Sequence, residues 1–145
     1  MIINKLARRE YQIGEIWTAG VVLTGAEVKS IRSGRGSLRD GYVKMINGEL
    51  YLVGVDIPQY GHFSGQNYDA KRSRKLLLTA KELLKIKQRL EGKNVTLVPL
   101  QIFIRGRWVK CEIALGKGKK EWEKREDIKK RDTDREMAKA MRNKV

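Results

Sequence analysis

Residues 42–57 constrain the fold more than any other stretch: YVKMI, then Asn47-Gly48, then ELYLVGVDI. Asn and Gly tolerate the left-handed backbone that a type I′ turn demands at both central positions, so the stretch predicts a tight β-hairpin. Pro58, which cannot donate to a strand ladder, is expected to end the second strand. An antiparallel sheet is therefore set in the first half of the chain, and the remaining segments are read as what completes it.

Upstream, Asn4 is expected to cap a short helix over residues 5–10, with Arg8 and Arg9 side by side. YQIGEIWTAGVVLTG comes next, rich in β-branched and aromatic side chains. It predicts one long strand, bent at Gly14 and Gly20. Residues 24–33, TGAEVKSIRS, suggest a capped helical turn stopped by Gly34, although Ala26 and Val28 alternate with Glu27 and Lys29 as in a strand. Residues 33–41 predict a polar, flexible loop carrying Arg35 and Arg39.

Downstream of the hairpin, residues 58–75 form a long connection with Tyr60, Phe63 and Tyr68, closing on Lys71, Arg72, Arg74 and Lys75. Thr79 and Glu82 have the spacing of a capping box for AKELLKIKQRL. Leu83, Ile86 and Leu90, with Leu84, are its expected apolar face, and Gly92 its stop. Two further strands are expected around Arg105-Gly106, with an edge or bulge at Pro99. The fold class expected is mainly β with flanking helices: a small closed antiparallel OB-like barrel over residues 1–116. A flat sheet on two helices is the alternative.

The character of the chain changes after Val109, Cys111, Ile113 and Leu115, whose alternation suggests a strand with one buried face. Gly116, Lys117, Gly118, Lys119 and Lys120 look like a hinge into a basic C-terminal tail, residues 117–145. The Walker pattern GxxxxGK[ST] is absent, so these lysines are read as phosphate contacts, each adding ~0.9 to the salt slope on duplex nucleic acid. From Glu121 the composition favours helix, but its apolar residues make no continuous stripe. The tail is expected to be disordered when free and helical when bound. A helix docked on the barrel through Trp122 and Ile128 is the competing reading. Trp122 among Lys and Arg suits stacking on a base.

Charge narrows the function. The chain holds 32 Lys and Arg against 17 Asp and Glu, a formal +15, of which +10 falls in residues 1–116 and +5 in the tail. A polyanionic partner fits that balance better than a merely basic surface. Cys111 and His62 are the only residues of their types, so neither an intramolecular disulfide nor a zinc-type cluster is expected, and no metal or cofactor. The stretch MIINKLARRE lacks the hydrophobic core and cleavage site of an export signal, and no apolar run reaches the ~20 residues needed to cross a bilayer. A cytoplasmic monomer without membrane contact is expected. His62, Ser64 and Asp69 sit close in sequence but lack a strained elbow or oxyanion donors; Asp40, Glu49 and Asp56 read as solvating groups at turns and strand edges. The chain is not read as an enzyme. Glu27 is left open between pairing with Lys29 or Arg32 and accepting hydrogen bonds from RNA.

At NKLARREY (residues 4–11), AGVVLTGAEVKSIRSG (19–34), residues 40–43, RKLLL (74–78), Glu82-Leu83 and residues 116–131 with GKGKK, the chain resembles the small protein B family. These are the SsrA-binding proteins of bacterial ribosome rescue. The resemblance implies a barrel that binds the tRNA-like domain of tmRNA. It also implies elongation factor Tu and alanyl-tRNA synthetase as partners through charged tmRNA, and a tail that becomes helical in the empty mRNA channel of a stalled 70S ribosome, past the small-subunit decoding centre.

Carried over by position, it puts Asn4, Tyr11, Glu27 and Lys110 on the RNA-binding surface, with Lys5, Arg8, Arg9, Lys29, Arg32, Ile86, Lys117, Lys119 and Lys120 beside them. Ile86 stands where relatives have Leu, and Arg9 where many have His. Trp122, Glu123, Lys124, Arg125, Asp127, Ile128, Lys129, Lys130 and Arg131 fall on the tail segment assigned to the ribosome. A structural, ribosome-associated OB-fold protein is the alternative function.

Overall fold

A computed structural model describes residues 1–60, 68–91 and 93–119. The elements are β1 (Ile2–Ile3), α1 (Ala7–Glu10), β2 (Tyr11–Val21), α2 (Gly25–Arg32), β3 (Tyr42–Ile46), β4 (Glu49–Val53), β5 (Arg74–Leu77), α3 (Ala80–Leu90), β6 (Thr96–Arg105) and β7 (Trp108–Gly118). Six strands close a ring in the order β6-β3-β4-β5-β2-β7, with β7 pairing back to β6 and β1 added outside β6. Each neighbouring pair is antiparallel. The expected barrel is therefore present, and closure leaves few unpaired strand edges.

The hairpin forms as read: Asn47 and Gly48 have φ of 51° and 77°, and Ile46 pairs with Glu49 across the turn. The barrel interior collects Trp17, Ala19, Leu50, Leu52, Leu76, Ile102, Cys111 and Ile113, with Ile31 from α2 and Ile86 from α3. A second apolar cluster lies where α1 covers β6 and β7: Ala7, Val98, Leu100 and Ala114, with Tyr11 and Ile13 packed against it. Leu97 through Leu100 are consequently all buried, because one set of side chains faces the interior and the other faces α1. The change of phase falls at a register shift between Pro99 and Gln101, the bulge expected at the proline.

Several expectations need correction. The strand bend is confined to Gly14-Glu15, where the β2–β7 register shifts; Gly20 instead pairs in regular register with both Leu77 and Lys110. Asn4 is not the N-cap of α1, whose N-cap is Leu6 with no side-chain cap bond. The 33–41 loop is anchored by a reciprocal backbone bridge between Ser37 and Asp56 and by the buried Leu38. β4 stops at Val53, and Gly54 turns the chain with φ 75°. Strand β5 begins at Arg74, within the last two residues of the stretch expected to be loop, and runs on to Leu77. α2 and α3 both carry complete capping boxes, Thr24/Glu27 and Thr79/Glu82. In α3, Ile86 is buried and Leu83 and Leu90 half-buried, but Leu84 is exposed. The expected hinge is still strand through Gly118: Gly116, Lys117 and Gly118 pair with Ile13, Gln12 and Tyr11. Gly92 lies outside the described residues.

Candidate nucleic-acid interface

β2 and β7 lie side by side, each of 11 residues. At about 3.3 Å per residue their ends are on the order of 30 Å apart. The expected RNA-binding residues divide between those two ends.

At the α1 end, Arg8 and Arg9 are exposed. Asn4 fastens this segment to the β6 bulge: its backbone N–H donates to the Leu100 carbonyl (2.8 Å) and its Nδ2 to the Pro99 carbonyl (2.9 Å). Its Oδ1 accepts from the Leu6 N–H at 3.3 Å, so Asn4 shapes the entry to α1 from within a turn. Lys5 is exposed next to it. Tyr11 is half-buried over the outer apolar cluster, where a Cβ on Gly116 would come within 3.1 Å of its ring. Only glycine permits that approach. Lys117 is exposed. The Lys119 N–H donates to the Glu10 carbonyl (3.0 Å) and its Nζ to the Arg8 carbonyl (2.9 Å), so Lys119 straps β7 to α1.

At the other end, Lys110 is half-buried on β7 opposite Gly20 and Phe103. It lines a groove of about 550 Å³ with Val21, Val28, Leu77, Arg107 and Trp108. Trp108 is 71% exposed and Leu77 53%, so the floor is apolar and open while Arg107 and Lys110 supply charge. The Arg105 guanidinium lies 5.5 Å from the Phe103 ring on the same strand, β6. Lys29 and Arg32 lie exposed on α2, and the half-buried Val28 of that helix borders this groove.

Sequence reasoning missed Trp108 and Leu77, though the signal was there. Val109, Cys111 and Ile113 point inward, so a strand period of two sends Trp108 outward; Arg74 and Leu76 are inward, which does the same for Leu77.

Two expected site residues are removed from the surface. Ile86 has no exposed area and belongs to the barrel core, so it is a packing residue. Glu27 is 1% exposed. Its Oε1 accepts from the Thr24 N–H (2.9 Å) and Arg72 Nη2 (2.6 Å), and its Oε2 from Arg74 Nε at 2.5 Å. Its ionic partners are thus Arg72 and Arg74, in place of the expected Lys29 or Arg32. Arg74 is itself fully buried and donates onward to the Val55 (2.7 Å) and Ala70 (2.9 Å) carbonyls. Burial pushes the Glu27 carboxyl up, but Arg72, the Thr24 N–H and Arg74 together hold it below the ordinary carboxylate range. The pair joins α2 to β5, where it serves as a strut.

Burial, with the nearby Glu112 charge second, pushes the Cys111 thiol up to about 12, which makes it inert. Among the described residues, no group of three or more His, Cys, Asp and Glu is placed to hold a metal, and no helix is long and apolar enough to cross a membrane. Lys120, Trp122, Glu123, Lys124, Arg125, Asp127, Ile128, Lys129, Lys130 and Arg131 lie outside the described residues, as do His62 and Ser64.

A closed six-stranded antiparallel barrel with cations and an open aromatic on its outer surface defines a class, the OB-like nucleic-acid-binding barrels. Comparison with known proteins narrows it. The family described as SmpB protein matches residues 1–143. An SsrA-binding protein of Microcystis aeruginosa is 49% identical over 140 residues, covering 96% of this chain and 91% of that one. Another, of Salinispora arenicola, is 46% identical over 137 residues, covering 94% and 86%. A solved structure described as "tmRNA-SmpB: a journey to the center of the bacterial ribosome" aligns with a TM-score of 0.69 at 40% identity, covering 82% of this chain and 84% of that one. The chain belongs to the SmpB family.

Proposed function

We propose that this protein binds the tRNA-like domain of tmRNA and brings it to stalled ribosomes for trans-translation. The observation that carries this reading is the match of residues 1–143 to the SmpB family. The geometry supports it. An RNA helix displays 2′-hydroxyls and phosphates across a shallow groove, and is gripped by cations and by flat apolar surface on which an unstacked base can lie. Trp108, Leu77, Arg107 and Lys110 provide those elements at one end of the barrel, and Asn4, Lys5, Arg8, Arg9, Tyr11 and Lys117 border the other.

In this reading residues 1–119 grip folded RNA and 120–145 serve the ribosome. An intact message excludes the tail by occupying the same channel, and Trp122 stacks on a base of the decoding centre. The protein acts as a monomer in the cytoplasm. Elongation factor Tu and alanyl-tRNA synthetase meet it through the charged tmRNA.

Gel-shift binding to the isolated tRNA-like domain, paired with a tagging assay on stalled ribosomes, tests this for the full chain and a chain ending at Lys119. Both should bind the RNA, and only the full chain should support tagging. Loss of RNA binding on truncation would overturn the division of labour. The cut falls after Lys119 because ending at 116 would remove the pairs Lys117↔Gln12 and Gly118↔Tyr11 and the Lys119 strap.

A further inference from the structure

Beside α1, and separate from the Trp108 groove, is a cleft of about 370 Å³ bounded by Leu6, Ala7, Tyr11, Arg39, Asp40 and Tyr42. Its apolar wall is the outer cluster beneath α1, reached also by Leu97 and Val98 of β6. Tyr42, at the first position of β3, leaves half of its surface (50%) uncovered. Arg39 and Asp40 are exposed, and among the described residues neither side chain has a hydrogen-bond or ion-pair partner. The cleft thus combines an open aromatic face, the Asp40 carboxylate, able only to accept, and a guanidinium able only to donate, with Glu10 of α1 also on its border. The bridge between Ser37 and Asp56 and the buried Leu38 hold the loop in place, so these groups are presented before any ligand arrives.

We infer that this cleft is a pocket for one unpaired guanine of a bound RNA. The inference rests on the RNA-binding reading above and adds a base preference to it. A base is flat and fits a cleft of this size, and one face can lie on Tyr42. Among the four bases, guanine presents adjacent N1–H and N2–H donors, which a carboxylate accepts as a pair, together with the O6 and N7 acceptors that an Arg recognises. Adenine has no ring N–H donor beside its amino group and would leave part of the Asp40 carboxylate unmatched. Uracil and cytosine lack the N7 acceptor. Asp40 and Arg39 therefore read guanine, and Tyr42 supplies sequence-tolerant stacking.

The test uses the full-length protein and single-stranded nonamers carrying guanosine, inosine or adenosine at the centre of a uridine run. Wild type should bind the guanosine nonamer roughly tenfold more tightly than the adenosine one, within the discrimination of one bidentate base contact. Inosine, which lacks the N2 amino group, should fall between them. Asp40→Asn should remove the difference between guanosine and inosine, which only the carboxylate reads, and narrow the preference over adenosine to what Arg39 supplies. Tyr42→Ala should weaken both nonamers alike, and Tyr42→Phe should behave as wild type. An unreactive Cys111 thiol in each variant reports that the barrel is folded. Equal affinity of wild type for all three nonamers, or a guanosine–inosine difference that survives Asp40→Asn, would overturn the pocket. If wild type bound no RNA at all, including the tRNA-like domain, the functional reading would fail with it; binding of that domain without base discrimination removes the pocket alone.

Discussion

Arg74 looks on paper like one more cation in a basic run, and the fold treats it as a core residue. A fully buried guanidinium is tolerable only when its charge and N–H groups are met, and Glu27 with the Val55 and Ala70 carbonyls meets them. Glu27→Ala therefore leaves a buried charge uncompensated and should cost about 3–5 kcal/mol, read as a lower urea midpoint. The pH dependence arises from the same contacts. Because the folded carboxyl is held below its ordinary value of 4.5, its contribution is complete above that pH. It is lost as the pH falls through the lowered folded value, so acid should destabilise wild type there more than Glu27→Ala. Cys111, with no exposed area on the barrel's inner face, should react with a thiol reagent only when the barrel opens, at a rate that rises with added denaturant.

At the level of elements, what can be read in the sequence is what is decided within four or five residues. The Asn47-Gly48 turn, the Thr79/Glu82 box and the Pro99 bulge depend on local backbone chemistry, and all three form as read. β5 is invisible to such reasoning. Its four residues begin with Arg74, whose burial depends on a carboxylate 47 positions earlier in the chain. The face of α3 shows the same limit. Leu83, Leu84, Ile86 and Leu90 all suit an apolar stripe, but the helix is seated through Ile86, its one residue without exposed area, and Leu84 is left in solvent on a face where Lys85 and Arg89 pair with Glu15. The candidate site was half legible for a related reason. Cation positions can be read directly from sequence, whereas the outward Trp108 and Leu77 need the phase of each strand. Thr79→Ala should lower stability by about 1 kcal/mol through loss of the α3 cap, seen as a drop in Tm, with RNA affinity unchanged.

Across the whole molecule, the two ends of the β2–β7 ribbon make separable predictions. Arg107→Ala with Lys110→Ala should weaken binding to the tRNA-like domain and flatten its salt dependence, by ~0.9 in log–log slope for each duplex phosphate no longer neutralised. If affinity and slope were both unchanged, the groove would not be the grip on that RNA. The Lys119 strap has a consequence of its own. Hydrogen bonds to Glu10 and Arg8 give residues 120–145 a fixed point of departure beside α1. Reach then becomes a matter of counting: each residue inserted after Lys119 can displace the downstream segment by at most ~3.6 Å. Under the proposed division of labour the chain after Lys119 acts as a ruler, and a few added residues should impair tagging while leaving the barrel itself untouched.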